Sequence, residues 1–457
     1  MKRCIVLVVE GIAPPLLERW AARGFLPFLN DLRLQGRIGR FIGHEVPYEP
    51  PALLSAFTGQ PCGGHGCFSY WHVYGKLFAE TPAVVTANDI CAPFLWQMPG
   101  WDKVRVSLVN LFGTHPPAPL NGKVISYPLY PSLKACYPPD LLLSLLKKGI
   151  RYGHDVSALY TGGGHEQFWR VVRGIEESRM AVCRELLAGS CDLFIANITI
   201  IDRLSHFLWA ETEGARRDDP GGSIMLKAYQ LVDDFIAGVV QNLHPDDELL
   251  VFSEIGFGPL AEFVSLNDIL ALNGLYREQD GNPDPASCMA MEAVQGSHGI
   301  NINSACSYAD GIIAPQQEDA VSKEVAEALL SARNRHTGEP LIRAIHRGRD
   351  IHPGPNAGMA PHLIVEPYDV EYLPAGHTYW RRKVMRHLQT GWHRRESIWF
   401  GIGKEMERMS VTRFMRPTDV APLIARLMDA PPLPAEHDIA NYPVSHFISQ
   451  QKAHPQP

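Results

Sequence analysis

An acidic side chain and an imidazole with metal-ligand spacing follow one of the most apolar stretches of the chain. Asp202 and His206 stand four residues apart, just after the apolar residues 193–201. On a helix this spacing places both side chains on one face, where they could hold a divalent metal ion. The same spacing is common in ordinary ion pairs on helix surfaces, so the motif alone leaves both interpretations open.

Short apolar runs alternate along the chain with longer segments of helical character. Continuous apolar runs without alternation are typical of strands buried on both faces of a parallel sheet. The chain is therefore predicted to have a doubly wound α/β fold, with a mostly parallel central sheet and helices on both faces. Strands are predicted over residues 4–9, 103–110, 192–201, 248–253, 362–366 and 397–402, and helices over 14–23, 138–148, 166–188, 224–242 and 319–333.

Three acidic residues stand at the carboxyl ends of predicted strands, namely Glu10, Asp202 and Glu254. In doubly wound sheets, ligands bind at the carboxyl ends of the strands. We therefore expect these three carboxylates at the functional edge of the sheet.

The domain organisation is predicted from changes in composition. Residues 1–260 and 356–428 form the α/β core in this interpretation. Residues 261–355, which begin rich in Asn, Asp, Gly and Pro, form a small cap or insertion, and residues 429–457 form a Pro-rich C-terminal tail.

Composition excludes several classes of partner. The net charge of -7 argues against nucleic acid, which is bound through an excess of Lys and Arg. No apolar run is long enough to span a membrane. Nine cysteines without a CxxC pair favour reduced thiols and a cytoplasmic location. The oligomeric state stays open, with a homo-oligomer among the alternatives.

Several motifs, taken in order, resemble those of the alkaline phosphatase superfamily in its type I phosphodiesterase/nucleotide pyrophosphatase branch. The resemblance extends over about residues 3–405, and it rests on the order and spacing of the motifs together. The segments that carry it are 8–11 (VVEG), 47–59 (PYEPPALLSAFTG), 60–70 (QPCGGHGCFSY), 113–117 (GTHPP), 202–206 (DRLSH), 253–258 (SEIGFG), 299–303 (GININ) and 390–394 (TGWHR).

The resemblance implies a first metal site formed by Asp202, His206 and His393. One carboxylate and two imidazoles are a usual ligand set for Zn, Fe(II) or Mn. His298, within the segment 296–299 (GSHG), superficially resembles the last metal motif. The match of residues 299–303 to a cap strand explains that segment better, so His393 is preferred as the ligand.

The resemblance also implies an altered second site. Glu49 stands at the position of the family's nucleophilic Thr or Ser, and Glu10 and Glu254 stand at two positions of metal-binding Asp. Ile255 replaces a metal-binding His. Random decay would scatter residue types, so three glutamates at three such positions indicate carboxylate ligation. Glu49 is predicted to be both a metal ligand and the catalytic group.

These residues lead to one preferred function and two alternatives. The chain is expected to be a metal-dependent enzyme for a small phosphorylated or other anionic substrate, with metal-bound water or Glu49 in place of the usual nucleophile. Its cofactors would be one or two divalent ions of Mn, Fe or Zn. Arg203, Arg394 and His65 are candidate substrate contacts. The alternatives are a non-hydrolytic, redox or rearranging, dinuclear Fe/Mn enzyme of a biosynthetic pathway, and a catalytically inactive binding protein.

Overall fold

The computed structural model describes residues 2–130, 132, 134–154, 158, 160–213, 222–375, 388–409, 414–431 and 433. Most of the predicted Pro-rich tail, residues 429–457, lies outside the described residues. Within the described part of the chain, no helix has the length and apolar character needed to cross a bilayer. All nine cysteines are described, and all are free thiols.

The secondary structure alternates between strands and helices through the first half of the chain. The strands are β1 Cys4–Val9, β2 Gly39–Ile42, β3 Val106–Leu111, β4 Gly122–Ser126, β5 Cys136–Tyr137, β6 Leu193–Ile198, β7 Glu248–Phe252, β8 Gly256–Pro259, β9 Glu262–Val264, β10 Glu278–Gln279, β11 Asn282–Pro283, β12 Ala290–Glu292, β13 Gly299–Ile302, β14 Ile342–Arg347, β15 Leu363–Pro367, β16 Tyr372–Pro374, β17 Gly391–Arg394 and β18 Glu396–Ile402. The helices are α1 Pro14–Ala22, α2 Pro27–Leu34, α3 Glu49–Thr58, α4 Cys62–His65, α5 Leu141–Lys147, α6 His165–Leu187, α7 Ile200–Leu208, α8 Ile224–Gln241, α9 Leu266–Leu272, α10 Glu318–Ser331, α11 Gly348–Ile351 and α12 Pro417–Leu427.

The central sheet is mostly parallel, as predicted. Its eight strands lie in the order β2-β18-β7-β1-β6-β3-β4-β5. Strands β7, β1, β6, β3 and β4 pair in parallel, whereas β18 is antiparallel to its two neighbours and β5 is antiparallel to β4. The parallel register brings the carboxyl ends of β1, β6 and β7 to the same edge, which positions the residues that follow them.

Both faces of this sheet are covered, which confirms the doubly wound architecture. Residues 5, 7 and 9 of β1 belong to a core shared with helices α1, α2, α6 and α8. Residues 4, 6 and 8 belong to a second core, shared with α3 and α12 on the other face. Successive side chains of a strand point to opposite faces, so a strand buried on both sides must be apolar throughout. Each such side chain stabilises the fold by about 1.5–3 kcal/mol.

A second, antiparallel sheet lies outside this core. Its strands follow the order β12-β13-β15-β14, and its apolar face packs with helices α9 and α10. The prediction of residues 362–366 as a strand is confirmed, but their expected place in the parallel sheet was wrong, because β15 pairs antiparallel with β13 and β14. A short buried strand has the same apolar pattern in either kind of sheet. The division into core and cap stays a prediction.

Candidate metal centre

Helix α7 carries two of the predicted metal ligands. It begins directly after β6, and Asp202 lies in its first turn with His206 one turn later. The backbone N–H of Asp202 donates to the carbonyl oxygen of Glu10 at 3.2 Å. Gly11 permits this approach, because its φ is +83° and a Cβ there would stand 2.9 Å from the Asp202 Cα. The end of β1 is thereby fixed against the helix that carries the ligands.

His393 completes a compact group with these two residues. It lies on β17, opposite Phe257 of β8. Its Nε2 is 3.1 Å from Asp202 Oδ1 and 3.3 Å from His206 Nε2. Each of the three residues offers a ligand atom within 4.8 Å of the others. One carboxylate and two imidazoles converging in this way fit a divalent transition metal.

The protonation of the group also suits a metal. Burial lowers the pKa of His206 to about 3, so its ring is neutral at pH 7 and offers a lone pair. Burial would raise the pKa of Asp202, but the two imidazoles outweigh it and leave that pKa below its usual value. Burial would lower the pKa of His393, but Glu49 and Asp202 leave it above its usual value. Metal binding and protonation of His393 should therefore compete.

A buried polar network holds the amino end of α7. Thr199 is the N-cap residue, and its N–H donates to Glu176 Oε2 at 3.1 Å. Arg179 Nη1 donates to Thr199 Oγ1 at 2.9 Å. Glu176 and Arg179 are both almost completely buried on α6. The network therefore connects the longest described helix to the helix that carries Asp202 and His206.

Replacing Thr199 by valine is expected to destabilise the protein by about 1–3 kcal/mol, because Arg179 Nη1 loses its acceptor and Glu176 Oε2 loses the hydrogen bond that the Thr199 hydroxyl donates at 3.3 Å. We also expect a lower affinity for a divalent metal, by about tenfold, because residues that orient ligands tune metal binding. Thr212→Val is the control, since Thr212 is also buried and its hydroxyl donates to the Trp209 carbonyl oxygen, away from the network of Glu176 and Arg179. Calorimetric metal titrations should separate the two variants; equal affinities would contradict the positioning role.

The three predicted glutamates are all buried near this group. Glu49 begins α3, and its Oε2 is 3.6 Å from His393 Nδ1. Its Oε1 accepts a hydrogen bond from Tyr70 Oη at 3.3 Å. Glu10 Oε1 accepts from Asn197 Nδ2 at 2.6 Å. Glu254 is completely buried, and neither of its carboxyl oxygens is hydrogen-bonded to another residue.

The pKa values of these glutamates show that they share one electrostatic environment. Burial raises the pKa of Glu10 well above its usual value, and the charges of Glu254, Asp202 and Glu49 add to the effect. Burial likewise raises the pKa of Glu254, with Glu49 and Asp202 contributing. Burial raises the pKa of Glu49 to about 7, although His393 opposes the shift. Carboxylates that are buried this close together need protons or a cation to compensate their negative charge.

The glutamates do not form a second group as compact as the first. Within the described ranges, Asp202, His206 and His393 are the one set of potential ligands that converge to within 4.8 Å. Ile255 is completely buried and contributes no ligand atom to the second position. The second metal site therefore stays a prediction, supported by the buried oxygens of Glu254 that lack partners.

The predicted substrate contacts lie in three different environments. Arg203 follows Asp202 on α7, and its charge lowers the pKa of Asp202, which places it near the metal group. Arg394 donates to the backbone carbonyl oxygens of Trp392, His393 and Pro259, so its donors are directed into the β8–β17 pair. His65 is completely buried, and it contacts Ser55 Oγ at 3.0 Å and the Cys67 N–H at 3.2 Å. These contacts argue against a substrate role for Arg394 and His65.

Two residues near the glutamates were not recognised in the sequence. Asn197 lies inside the apolar strand β6, and a lone amide in a buried strand is a signal that could have identified it. Tyr70 contacts Glu49 from a loop 21 residues away, and no local pattern indicates that contact.

Comparisons with known proteins support the fold. No family model and no curated protein sequence gives a significant match. The structure is similar to phosphonoacetate hydrolase from Sinorhizobium meliloti 1021 in complex with phosphonoformate, with a TM-score of 0.63, 13% identity, and coverage of 93% of this chain and 96% of that one. It is also similar to an inactive form of murine ectonucleotide pyrophosphatase/phosphodiesterase 5 in complex with AMP, with a TM-score of 0.55, 11% identity, and coverage of 95% and 96%. The chain therefore has the alkaline phosphatase-like fold that the motifs predicted.

Proposed function

We propose that this protein is a metal-dependent hydrolase for a small phosphorylated or other anionic substrate. The observation that carries the proposal is the convergence of Asp202, His206 and His393, with the Glu49 carboxylate 3.6 Å from His393. A divalent ion of Mn, Fe or Zn fits these ligands, and when bound it supplies Lewis acidity toward anionic oxygen atoms.

Glu49 has the properties of a general base. Burial raises its pKa to about 7 in the metal-free protein, and a cation beside it would lower that pKa and keep Glu49 in the ionised form that a general base needs. His393 and Tyr70 contact one carboxylate oxygen each, at 3.6 and 3.3 Å. In this position Glu49 would accept the proton of an attacking water molecule. General-base catalysis of this kind contributes about 10²- to 10⁴-fold to a rate.

A second ion is proposed at the glutamates. The two oxygens of Glu254 are buried without bonds to other residues, and an uncompensated buried carboxylate is costly. Glu10 and Glu254 would bind this ion, with Glu49 between the two sites. Such an oxygen-rich ligand set favours Mn or Fe over Zn.

The structural neighbours support the choice of substrate class. One is named for the hydrolysis of phosphonoacetate, and the other for action on nucleotide pyrophosphates and phosphodiesters. Because a likeness at 11–13% identity concerns the fold, their substrates are only starting points for a screen.

The expected result is metal-dependent turnover of at least one compound in a panel of phosphomonoesters, phosphodiesters, nucleotide pyrophosphates, phosphonoacetate and sulfate esters. Stripped protein would be reloaded with Mn, Fe or Zn, and each product would be measured directly. Glu49→Gln should lower kcat by about 10²-fold or more while metal content at the Asp202 group persists. Absence of turnover across the whole panel with all three metals would contradict the proposed hydrolase activity.

The redox alternative is favoured by one observation, the four mutually interacting carboxylates of Glu10, Glu49, Asp202 and Glu254. Carboxylate-rich sites of this composition occur in dinuclear iron proteins. Oxygen consumption by the Fe-loaded protein with the same compounds would support this alternative. Ligand binding without either reaction would indicate a binding protein.

A further inference from the structure

His298 approaches the metal centre from the second sheet. It lies immediately before β13, and the loop that carries it packs against Tyr48, since Gly296 leaves no room for a side chain there. The Tyr48 ring in turn lies 5.9 Å from the His393 ring, centroid to centroid. The charge of His393 also contributes to lowering the pKa of His298, after burial. The loop before β13 is thus joined to the metal group through Tyr48, and His298 is close enough to interact with the charge of His393.

The backbone of His298 adopts an uncommon conformation. Its φ is +49°, in the left-handed region that residues with a Cβ rarely adopt. The other described non-glycine residues with positive φ are Asn and Asp, whose short side chains can bond locally. The Val365 N–H donates to the His298 carbonyl oxygen at 2.8 Å, which holds the residue in place. Strained residues of this kind cluster at functional sites.

The ring of His298 presents an unused hydrogen-bond acceptor. The residue is 8% exposed, and its buried Nε2 has no hydrogen-bond partner. The ring has a hydrogen bond to the Val365 backbone. A backbone group raises the pKa of a histidine when the ring N–H donates to its carbonyl oxygen, and since Nε2 has no partner this assigns the proton of the neutral ring to Nδ1. In the neutral ring Nε2 is therefore a lone-pair acceptor, and a buried acceptor without a donor is costly unless a ligand supplies one.

We infer that His298 is a specificity-determining residue, whose Nε2 accepts a hydrogen bond from a hydroxyl or amino group of the substrate. The anionic group of the same substrate would be held by the divalent ion proposed at Asp202, His206 and His393, so the inference rests on the proposed function. It narrows the substrate to a small anion that carries a hydrogen-bond donor close to its charged group.

Two phosphonates of equal size test this inference. Hydroxymethylphosphonate carries a hydroxyl where ethylphosphonate carries a methyl group, and both share the same anionic head. Isothermal titration of the Mn-loaded protein should show about tenfold tighter binding of hydroxymethylphosphonate, because the methyl group would leave Nε2 without a donor. In His298→Gly that ratio should fall to about one, with metal content unchanged. Glycine adopts positive φ without strain, so this variant should fold.

The outcomes distinguish the inference from the proposed function. Equal binding of both phosphonates by the wild-type protein would overturn the role of His298 and leave the anion site intact. Loss of metal from His298→Gly would also overturn it, by assigning the residue to the metal site. Failure of both phosphonates to bind would overturn the proposed anion site together with the inference. His298→Asn, which tolerates the same backbone conformation, should fold and lose the preference for the hydroxyl as glycine does.

Discussion

Replacing His393 by alanine is expected to weaken the binding of a divalent metal ion by about a hundredfold or more. Loss of residues that only orient metal ligands already costs about 10- to 100-fold in affinity. His393 does more than this, because its Nε2 lies 3.1 Å from Asp202 and 3.3 Å from His206. Its removal leaves one carboxylate and one imidazole, which is a weak site for a transition metal. Turnover that depends on the metal should be lost with it.

The control for His393→Ala is the same substitution at His346. The His346 Nε2 lies 3.1 Å from a carboxylate oxygen of Glu366, so this variant also breaks a His–carboxylate contact, but in the second sheet. Both variants would be stripped with chelator and titrated with Mn and Zn by calorimetry. Affinity equal to that of the wild-type protein in His393→Ala would contradict the assignment of the ligands.

The second large effect concerns the stability of the metal-free protein and its dependence on pH. The Glu49 carboxyl has a pKa of about 7 in the folded protein, against an ordinary value of 4.5. Between these values Glu49 binds a proton in the folded state more than in the unfolded state, so the contribution of Glu49 to stability falls as pH rises through the window. The direction is the same for Glu10 and Glu254, whose pKa values burial also raises.

Glu49→Gln replaces the carboxyl by an amide, which does not ionise. The loss of stability that Glu49 causes as pH rises therefore disappears in this variant. At pH 8 the metal-free variant should be more stable than the metal-free wild-type protein by about 3 kcal/mol, the free energy that corresponds to the shift of the pKa. Below pH 4.5 the two proteins should have similar free energies of unfolding, because Glu49 is then protonated in both the folded and the unfolded wild-type protein. Urea unfolding at several pH values measures the difference.

A surface substitution separates this effect from a general loss of charge. Glu396→Gln removes a carboxylate that is paired with Arg40 at the surface, and it should not reproduce the stabilisation of Glu49→Gln at pH 8. Saturating metal should remove the difference in stability between Glu49→Gln and the wild-type protein, because a bound cation compensates the negative charge of the Glu49 carboxylate. A stability difference between Glu49→Gln and the wild-type protein that does not grow between pH 5 and pH 8 would contradict the account.

The sequence alone predicts the strands and helices that follow from a local pattern of apolar residues. Residues 4–9 are apolar throughout, and they form a strand whose two faces are both buried. The strand predicted over residues 192–201 is shorter in the structure, because α7 begins at Ile200 and its first apolar residues belong to the helix. The proximity of Glu10, Asp202 and Glu254 followed from parallel register, since equivalent ends of parallel strands meet at one edge.

Contacts between residues far apart in the chain were harder to predict from the sequence. His393 lies 191 residues from Asp202, and its place in the site came from a motif resemblance instead of a physical rule. His65 has the residue type of a substrate contact, but its two nitrogens are engaged with Ser55 and Cys67. The antiparallel pairing of β15 and the backbone strain at His298 depend on tertiary partners that no local pattern encodes.

The metal content of the protein tests the central claim most directly. Wild-type protein, purified without chelator or affinity nickel, would be analysed by elemental mass spectrometry beside His393→Ala and Glu254→Gln. The account predicts about two divalent ions per wild-type chain, with one lost in each variant. One ion in the wild-type chain that is lost in His393→Ala would support the Asp202 group and reject the glutamate site. Wild-type protein that binds no metal, even after incubation with Mn, Fe or Zn, would contradict the account.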